Sequence, residues 1–275
     1  MRLAIFSDIH GNSIALDAVL EDIEKSGPFD AHWVLGDLVA LGPDPVRVLE
    51  RLSVLPDVKF VRGNTDRYVF SGDRPPPTIE EAAEDSSKLT ALVECAGTFA
   101  WTQGVVTNAG WLEWLSELPL EIETTLPDGT RVLGVHSAPG RDDGLGIKVG
   151  LSEEELAFVL GDCDADLIIG GHHHRTLDMT VSDRRAINVG SVSNSQPPDL
   201  HASYVVLESD RSGYQIEFKR VDYDREAVVD QLIQLRHPAR DWIIKHFRGQ
   251  HTPFGSDWIQ EQLRYLRSKD KSNLA

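Results

Sequence analysis

Short apolar runs that end in small polar residues recur along the chain. Leu3–Phe6 is the first, and it ends at Ser7-Asp8-Ile9-His10. Leu16, Val19, Leu20 and Ile23 then repeat at helical spacing until Gly27-Pro28 stops them. Trp33–Leu35 ends in Gly36-Asp37. Pro45, whose missing N–H is tolerated in a first turn, opens a helix with an apolar face of Val48, Leu49 and Leu52. Lys59–Val61 ends in Gly63-Asn64-Thr65-Asp66. Strand, helix, strand, helix, strand predicts a largely parallel sheet covered by helices. Ligands of such sheets bind beyond the carboxyl ends of the strands, where all three polar clusters fall.

The pattern changes at the Pro/Gly-rich break Ser71–Pro77, after which residues 79–114 read as mostly helical, with Trp101, Trp111 and Trp114 as large anchors. Arg131–Val135 predicts a strand ending at His136, followed by the glycine-rich loop Gly140–Gly150. Ser152 and Glu155 form a capping box before a helix carried by Leu156, Val159 and Leu160. Leu167–Ile169 leads into Gly170-Gly171-His172-His173-His174-Arg175. Alternate side chains of an extended segment share a face, so His172 and His174 are set apart from His173. Ala186–Val189 is a further strand, Tyr204–Leu207 and Tyr214–Phe218 an antiparallel pair, and the chain from Asp224 is largely helical, with Lys269–Ala275 expected to fray.

Composition narrows the function classes. A net charge of −17 over 275 residues disfavours a grip on polymeric nucleic acid, which needs basic stripes. Cys95 and Cys163 stand far apart and outside any paired motif, so a reducing cytoplasm is expected. No stretch approaches the ~20 apolar residues of a membrane helix.

Strand ends supply Asp8, His10, Asp37, Asn64, His136, His172 and His174. Oxygen and imidazole donors without thiolates suit manganese, iron, zinc, nickel or cobalt rather than a structural zinc knot. Seven donors exceed one tetrahedral ion, and two ions sharing a carboxylate would use them all. Taken singly, Asp8 and Asp37 would serve equally well as helix caps, and His136 as a satisfied core histidine. Their joint occurrence at successive strand ends is what points to metal.

Asp8-Ile9-His10, Gly36-Asp37, Gly63-Asn64-Thr65-Asp66, His136 and Gly171-His172-His173-His174 appear in the order of the calcineurin-like metallophosphoesterase superfamily. Gly36-Asp37-Leu38-Val39-Ala40-Leu41-Gly42-Pro43-Asp44 resembles diadenosine tetraphosphatases and serine/threonine phosphoprotein phosphatases. Modest length and Asn188-Val189-Gly190-Ser191 look more like the small prokaryotic phosphodiesterases. The resemblance implies an α/β fold, a four-layer α/β/β/α sandwich, in residues 1–222; the helical pattern of the residues themselves adds an insertion or partial cap at about 71–118 and a C-terminal helical extension at 223–275. The resemblance also implies two divalent transition-metal ions, manganese first. Asp8, His10 and His174 would hold one ion, and Asn64, His136 and His172 the other. Asp37 would bridge them, and a hydroxide between the ions would attack phosphorus. The expected substrate is a small phosphomonoester or phosphodiester, with nucleotides and dinucleoside polyphosphates as candidates. The alternative is a non-catalytic scaffold, as in the phosphoesterase-like subunit of retromer.

Asp37, Asn64, Thr65 and Asp66 form the expected catalytic set, with Asn12, Arg67 and His173 as expected substrate contacts. Thr65 departs from the family, many of whose members carry histidine there. A hydroxyl can donate a hydrogen bond but is a poor general acid near neutral pH.

Overall fold

A computed structural model describes residues 1–250 and 256–272. The amino-terminal strands β1 (Arg2–Phe6), β2 (Ala31–Val34) and β3 (Val58–Phe60) lie parallel, linked by α1 (Ser13–Lys25) and α2 (Pro45–Ser53). Helix α3 (Asn64–Ser71) follows, then α4 (Ile79–Glu84), a 3-10 turn at Ser86–Lys88, α5 (Leu89–Asn108) and α6 (Leu112–Ser116). Strands β4 (Glu121–Thr125) and β5 (Arg131–Val135) form a hairpin. They precede α7 (Glu153–Leu160), β6 (Leu167–Gly170), β7 (Leu177–Val181) and β8 (Arg184–Asn188). The long hairpin β9 (Ala202–Asp210) and β10 (Gly213–Val221) returns to β1, and α8 (Arg225–Gln234), α9 (Arg240–Phe247) and α10 (Ser256–Ser272) complete the order.

Two five-stranded sheets result, ordered β10-β9-β1-β2-β3 and β4-β5-β6-β8-β7. Period-2 alternation sorts their side chains into layers. Leu3 and Ile5 of β1, Val205 and Leu207 of β9, Val132 of β5, and Leu167 and Ile169 of β6 pack between the sheets around Trp33. Ala4 and Phe6, together with Tyr204 and Val206, face the other way into a core shared with Leu16, Val19, Leu49, Phe99, Val228 and Ile243 of the first helical layer. Ile168 and Ala186 face Leu156 and Val159 of α7 and Leu263 of α10 on the far side. This is the four-layer α/β/β/α sandwich.

Every apolar run read as a strand forms one. The strands missed are β4 and β7, which are the two edges of the second sheet. An edge strand carries polar residues because one side faces solvent, and Glu-Ile-Glu-Thr-Thr and Leu-Asp-Met-Thr-Val therefore lack a strong apolar signal. The aromatic anchors pack as scaffold: Trp114 meets Phe60 edge-on at 5.1 Å, and Trp101 meets His237 at 4.4 Å. The expected fraying from Lys269 is not seen, since α10 runs to Ser272. Residues 273–275 of that segment lie outside the described residues.

Candidate metal centre

All seven donor residues sit just past the carboxyl ends of β1, β2, β3, β5 and β6. The turns that carry them are sharp. Asp8, His10, Asp37, His172 and His174 all have φ between 51° and 72°, and they are five of the nine non-glycine residues with positive φ among the described residues. Side chains in this left-handed region meet the following carbonyl, at roughly 1–2 kcal/mol per residue. Such strain persists only where the surroundings over-determine it, and it concentrates at functional sites.

Two glycines allow the loops to touch. A Cβ on Gly63 would lie 2.1 Å from Asp37 Oδ1 and 2.2 Å from the Asp37 nitrogen. One on Gly171 would lie 2.2 Å from Ser7 Oγ and 2.5 Å from Asp8 Oδ2.

Donor atoms of Asp8, His10, Asp37 and His174 lie within 4.8 Å of one another. His10 Nε2 is 3.0 Å from His174 Nε2 and 3.7 Å from both Asp8 Oδ1 and Asp37 Oδ2. A second group adjoins the first. Asn64 Oδ1 is 3.1 Å from His136 Nε2 and 3.0 Å from His172 Nδ1, and His136 Nε2 is 3.4 Å from Asp37 Oδ1. The two oxygens of Asp37 thus face different groups.

Backbone carbonyls fix three of the imidazole tautomers. His10 Nδ1 lies 3.1 Å from the Ala40 oxygen, His136 Nδ1 2.6 Å from the Leu35 oxygen, and His172 Nε2 2.9 Å from the Gly144 oxygen. A carbonyl only accepts, so each of these nitrogens carries a proton, and the other ring nitrogen faces the site, where it offers a lone pair whenever the imidazole is neutral. Lone pairs and carboxylates therefore face one another. Asp8 Oδ1 is buried and lies 3.1 Å from His174 Nε2 without hydrogen-bond geometry, while Asp8 Oδ2 accepts from the His172 N–H at 2.9 Å. A buried, orphaned carboxylate oxygen among imidazole lone pairs fits a divalent cation. The donors present fit the group that the motif order implies.

Electrostatics agree. Burial lowers His10 to about 4, so it is neutral at physiological pH. Burial opposes charge on His136, but the adjacent Asp37 carboxylate outweighs it and raises the imidazole to about 10. The protein alone thus draws a cation, here a proton, to the position between Asp37 and His136.

The other expected site residues divide. Thr65 lines the cavity above the donors, and its Oγ1 is buried without a hydrogen-bond partner. Its N–H donates to Asp37 Oδ1 at 2.9 Å. Asp66, expected in the catalytic set, is fully buried and does not line the cavity. Its Oδ2 accepts from the Asp37 and Gly63 N–H groups at 2.9 and 3.0 Å, and its Oδ1 from Leu38 at 2.8 Å. It holds the β2 turn to the start of α3 and is a positioning residue. Asn12 is fully buried; it caps α1 through Ala15 at 3.0 Å and donates to Ser193 Oγ at 3.1 Å, so it does not reach a substrate. Arg67, expected as a substrate contact, does not line the cavity, and its guanidinium pairs with Asp142, Asp143 and Asp73. His173 lines the cavity, and its Nε2 accepts from the Gly146 N–H at 3.3 Å.

The cavity is about 960 Å³ in volume. Arg62, Tyr68, Arg141 and Asp143 form part of its wall, and Gln262, Tyr265 and Leu266 of α10 another part. The Asp142-Asp143 pair opposite Arg67 was the signal in the sequence for the first wall. None existed for α10, because its approach is set by tertiary packing.

The sequence profile of the calcineurin-like phosphoesterase superfamily domain matches residues 1–212. A protein of Methanocaldococcus jannaschii of uncharacterized function is 28% identical over 255 residues, covering 88% of this chain and 95% of that one. The symmetrical bis(5'-nucleosyl)-tetraphosphatase of Salmonella arizonae is 36% identical over 100 residues, 32% of this chain and 35% of the relative, so this likeness is local. The crystal structure of a metallophosphoesterase from Sphaerobacter thermophilus superposes with a TM-score of 0.70 at 25% identity, covering 91% of this chain and 99% of the other. A hypothetical protein of Pyrococcus horikoshii gives 0.73 at 21% identity, covering 89% and 96%, and shares the fold. Ordered motifs, two facing sheets, a clustered donor set and a profile match over most of the chain converge: the protein belongs to the calcineurin-like phosphoesterase superfamily.

Proposed function

We propose that the chain is a dinuclear, metal-dependent phosphoesterase that hydrolyses phosphomonoesters or phosphodiesters of small molecules, nucleotides or dinucleoside polyphosphates among them. The observation that carries this reading is the Asp37 carboxylate, buried between two donor groups with one oxygen toward each. Asp8, His10 and His174 would hold one divalent ion and Asn64, His136 and His172 the other, manganese being the first expectation. When bound, such ions supply Lewis acidity toward phosphoryl oxygens and a nucleophilic water.

The protein's own part is positioning and charge. Carbonyls of Leu35, Ala40 and Gly144 orient the three imidazoles before anything binds. Asp66 holds the backbone of Asp37 against Gly63. Thr65 Oγ1, buried at the cavity wall without a partner, is placed to donate to a phosphoryl or leaving-group oxygen. The hydroxyl does not surrender its proton near neutral pH, so leaving groups that depart as stable anions should react fastest.

The test is metal content together with manganese-stimulated hydrolysis of bis-p-nitrophenyl phosphate. Two ions per chain with activity abolished by chelation and restored by manganese are expected. A protein that holds metal yet is inert across a broad panel of phosphoesters would be a scaffold, and the reading would fail.

A further inference from the structure

A second pocket, about 660 Å³ in volume, shares Leu41 and His172, His173 and His174 with the cavity above the donors and is otherwise walled separately. Lys148 of the glycine-rich loop, Arg175 after the triple histidine, and Lys245 and His246 of α9 all line it. No carboxylate is among the described residues lining it, although the chain has 44 acidic residues against 27 Lys and Arg. The first cavity, by contrast, has Glu81, Asp142, Asp143 and Glu261 in its wall.

The state of the cations sharpens this contrast. Arg47, Arg51, Arg62, Arg131, Arg185 and Arg220 are each matched to a carboxylate at 3.0 Å or less. Arg175 and Lys245 have no ion-pair partner among the described residues, and both are exposed. Three separate chain segments thus bring positive charge to one concavity in a strongly acidic protein. An electrostatic funnel for an anion is the physical consequence.

An aromatic surface stands beside the cations. Trp242 is half-buried, packs on the first helical core, and lines the pocket. Its ring meets His246 at 4.5 Å, and His246 Nδ1 lies 3.1 Å from the Trp242 oxygen, so the indole is braced in place. Gln196, also in the wall, donates to the His173 carbonyl at 3.1 Å.

We propose that this pocket is the subsite for the non-reacting phosphates and the base of a nucleoside polyphosphate. Arg175, Lys148 and Lys245 pair with the phosphates, and Trp242 provides the stacking face for the base. The volume lies within the roughly 300–1,000 Å³ range of small-molecule sites. His172 and His174 border both cavities, so a substrate with its reacting phosphate at the donors extends directly into the basic pocket. The inference rests on the phosphoesterase reading for the position of that reacting phosphate.

The experiment is calorimetric titration of the manganese-loaded protein with β,γ-methylene-ATP and, separately, with inorganic tripolyphosphate. Arg175→Glu and Lys245→Glu, both surface changes, should each raise the Kd for the nucleotide at least tenfold, with an unaltered unfolding temperature. Trp242→Ala should erase the preference for nucleotide over tripolyphosphate. Charge-reversal variants that bind like the parent would overturn the proposal, and so would a parent that binds tripolyphosphate as tightly as the nucleotide. Failure of either kind with aryl diester hydrolysis intact sinks only the subsite. Absence of hydrolysis with nucleotide binding as described sinks only the phosphoesterase reading.

Discussion

Replacing Asp66 with asparagine isolates the contribution of backbone clamping. The Asp66 carboxylate accepts three N–H groups, from Asp37, Gly63 and Leu38, at 2.8–3.0 Å. Asparagine has one acceptor oxygen and a donor amide. In its better orientation the oxygen keeps Asp37 and Gly63, and the amide nitrogen then confronts the Leu38 N–H, donor against donor. One hydrogen bond to a charged acceptor is lost, about 1.5–3 kcal/mol, and a buried N–H is left unsatisfied, about 1–3 kcal/mol. Relief of repulsion from Asp37 offsets part of this, since burial and Asp37 together push the Asp66 carboxyl up to about 7. A net loss of ~2–4 kcal/mol is expected for Asp66→Asn in urea unfolding with chelator present, where metal cannot compensate. Metal content after dialysis should also fall, because Asp37 loses its support. A chelated variant with the parent's urea midpoint, or one that holds its full complement of metal, would refute the clamp.

Other outcomes follow from the same contacts. His174→Ala and His172→Ala should each lose close to one metal equivalent by elemental analysis, whereas His173→Ala should retain both; equal losses in all three would show that the run is misassigned. Thr65→His should speed alkyl phosphodiester hydrolysis at least tenfold more than aryl hydrolysis, because only the basic alkoxide needs a proton; equal gains would count against a general-acid deficit. Burial lowers His237 from 6.5 to about 4, so the unfolded chain binds a proton that the folded chain refuses. Its stabilising contribution is therefore complete above pH 6.5 and declines as pH falls toward 4, by an amount on the order of 3 kcal/mol. His237→Gln should flatten that part of the urea-midpoint profile, and an unchanged profile would exclude His237 as the source.

Much of the architecture was readable from period and punctuation. Buried central strands announce themselves as Val/Ile/Leu runs, and the donor residues follow them immediately, so Asp8, Asp37, Asn64, His136 and His172 could be placed without coordinates. Roles that depend on direction could not. Asn12 and Arg67 lie beside metal motifs in the sequence, yet one caps a helix and the other is surrounded by Asp73, Asp142 and Asp143. Those partners are brought in by the glycine-rich loop and by the turn after α3, whose paths no local pattern encodes. The carbonyls of Leu35, Ala40 and Gly144 were invisible for a simpler reason: every residue has one, and only the folded chain decides which meets an imidazole.

The left-handed turns bear on how such a protein can drift. If Asp8, His10, Asp37, His172 and His174 each carry about 1 kcal/mol of steric cost, their sum is comparable with the whole margin of ~5–15 kcal/mol that keeps an ordinary domain folded. Glycine at any of the five would relax the backbone, so losing a donor is a step that folding itself favours. A chain kept only as a docking platform would have no physical brake on that step. All five donors keep side chains that bend the backbone against its own preference, which is what the proposed ion site would demand of the chain.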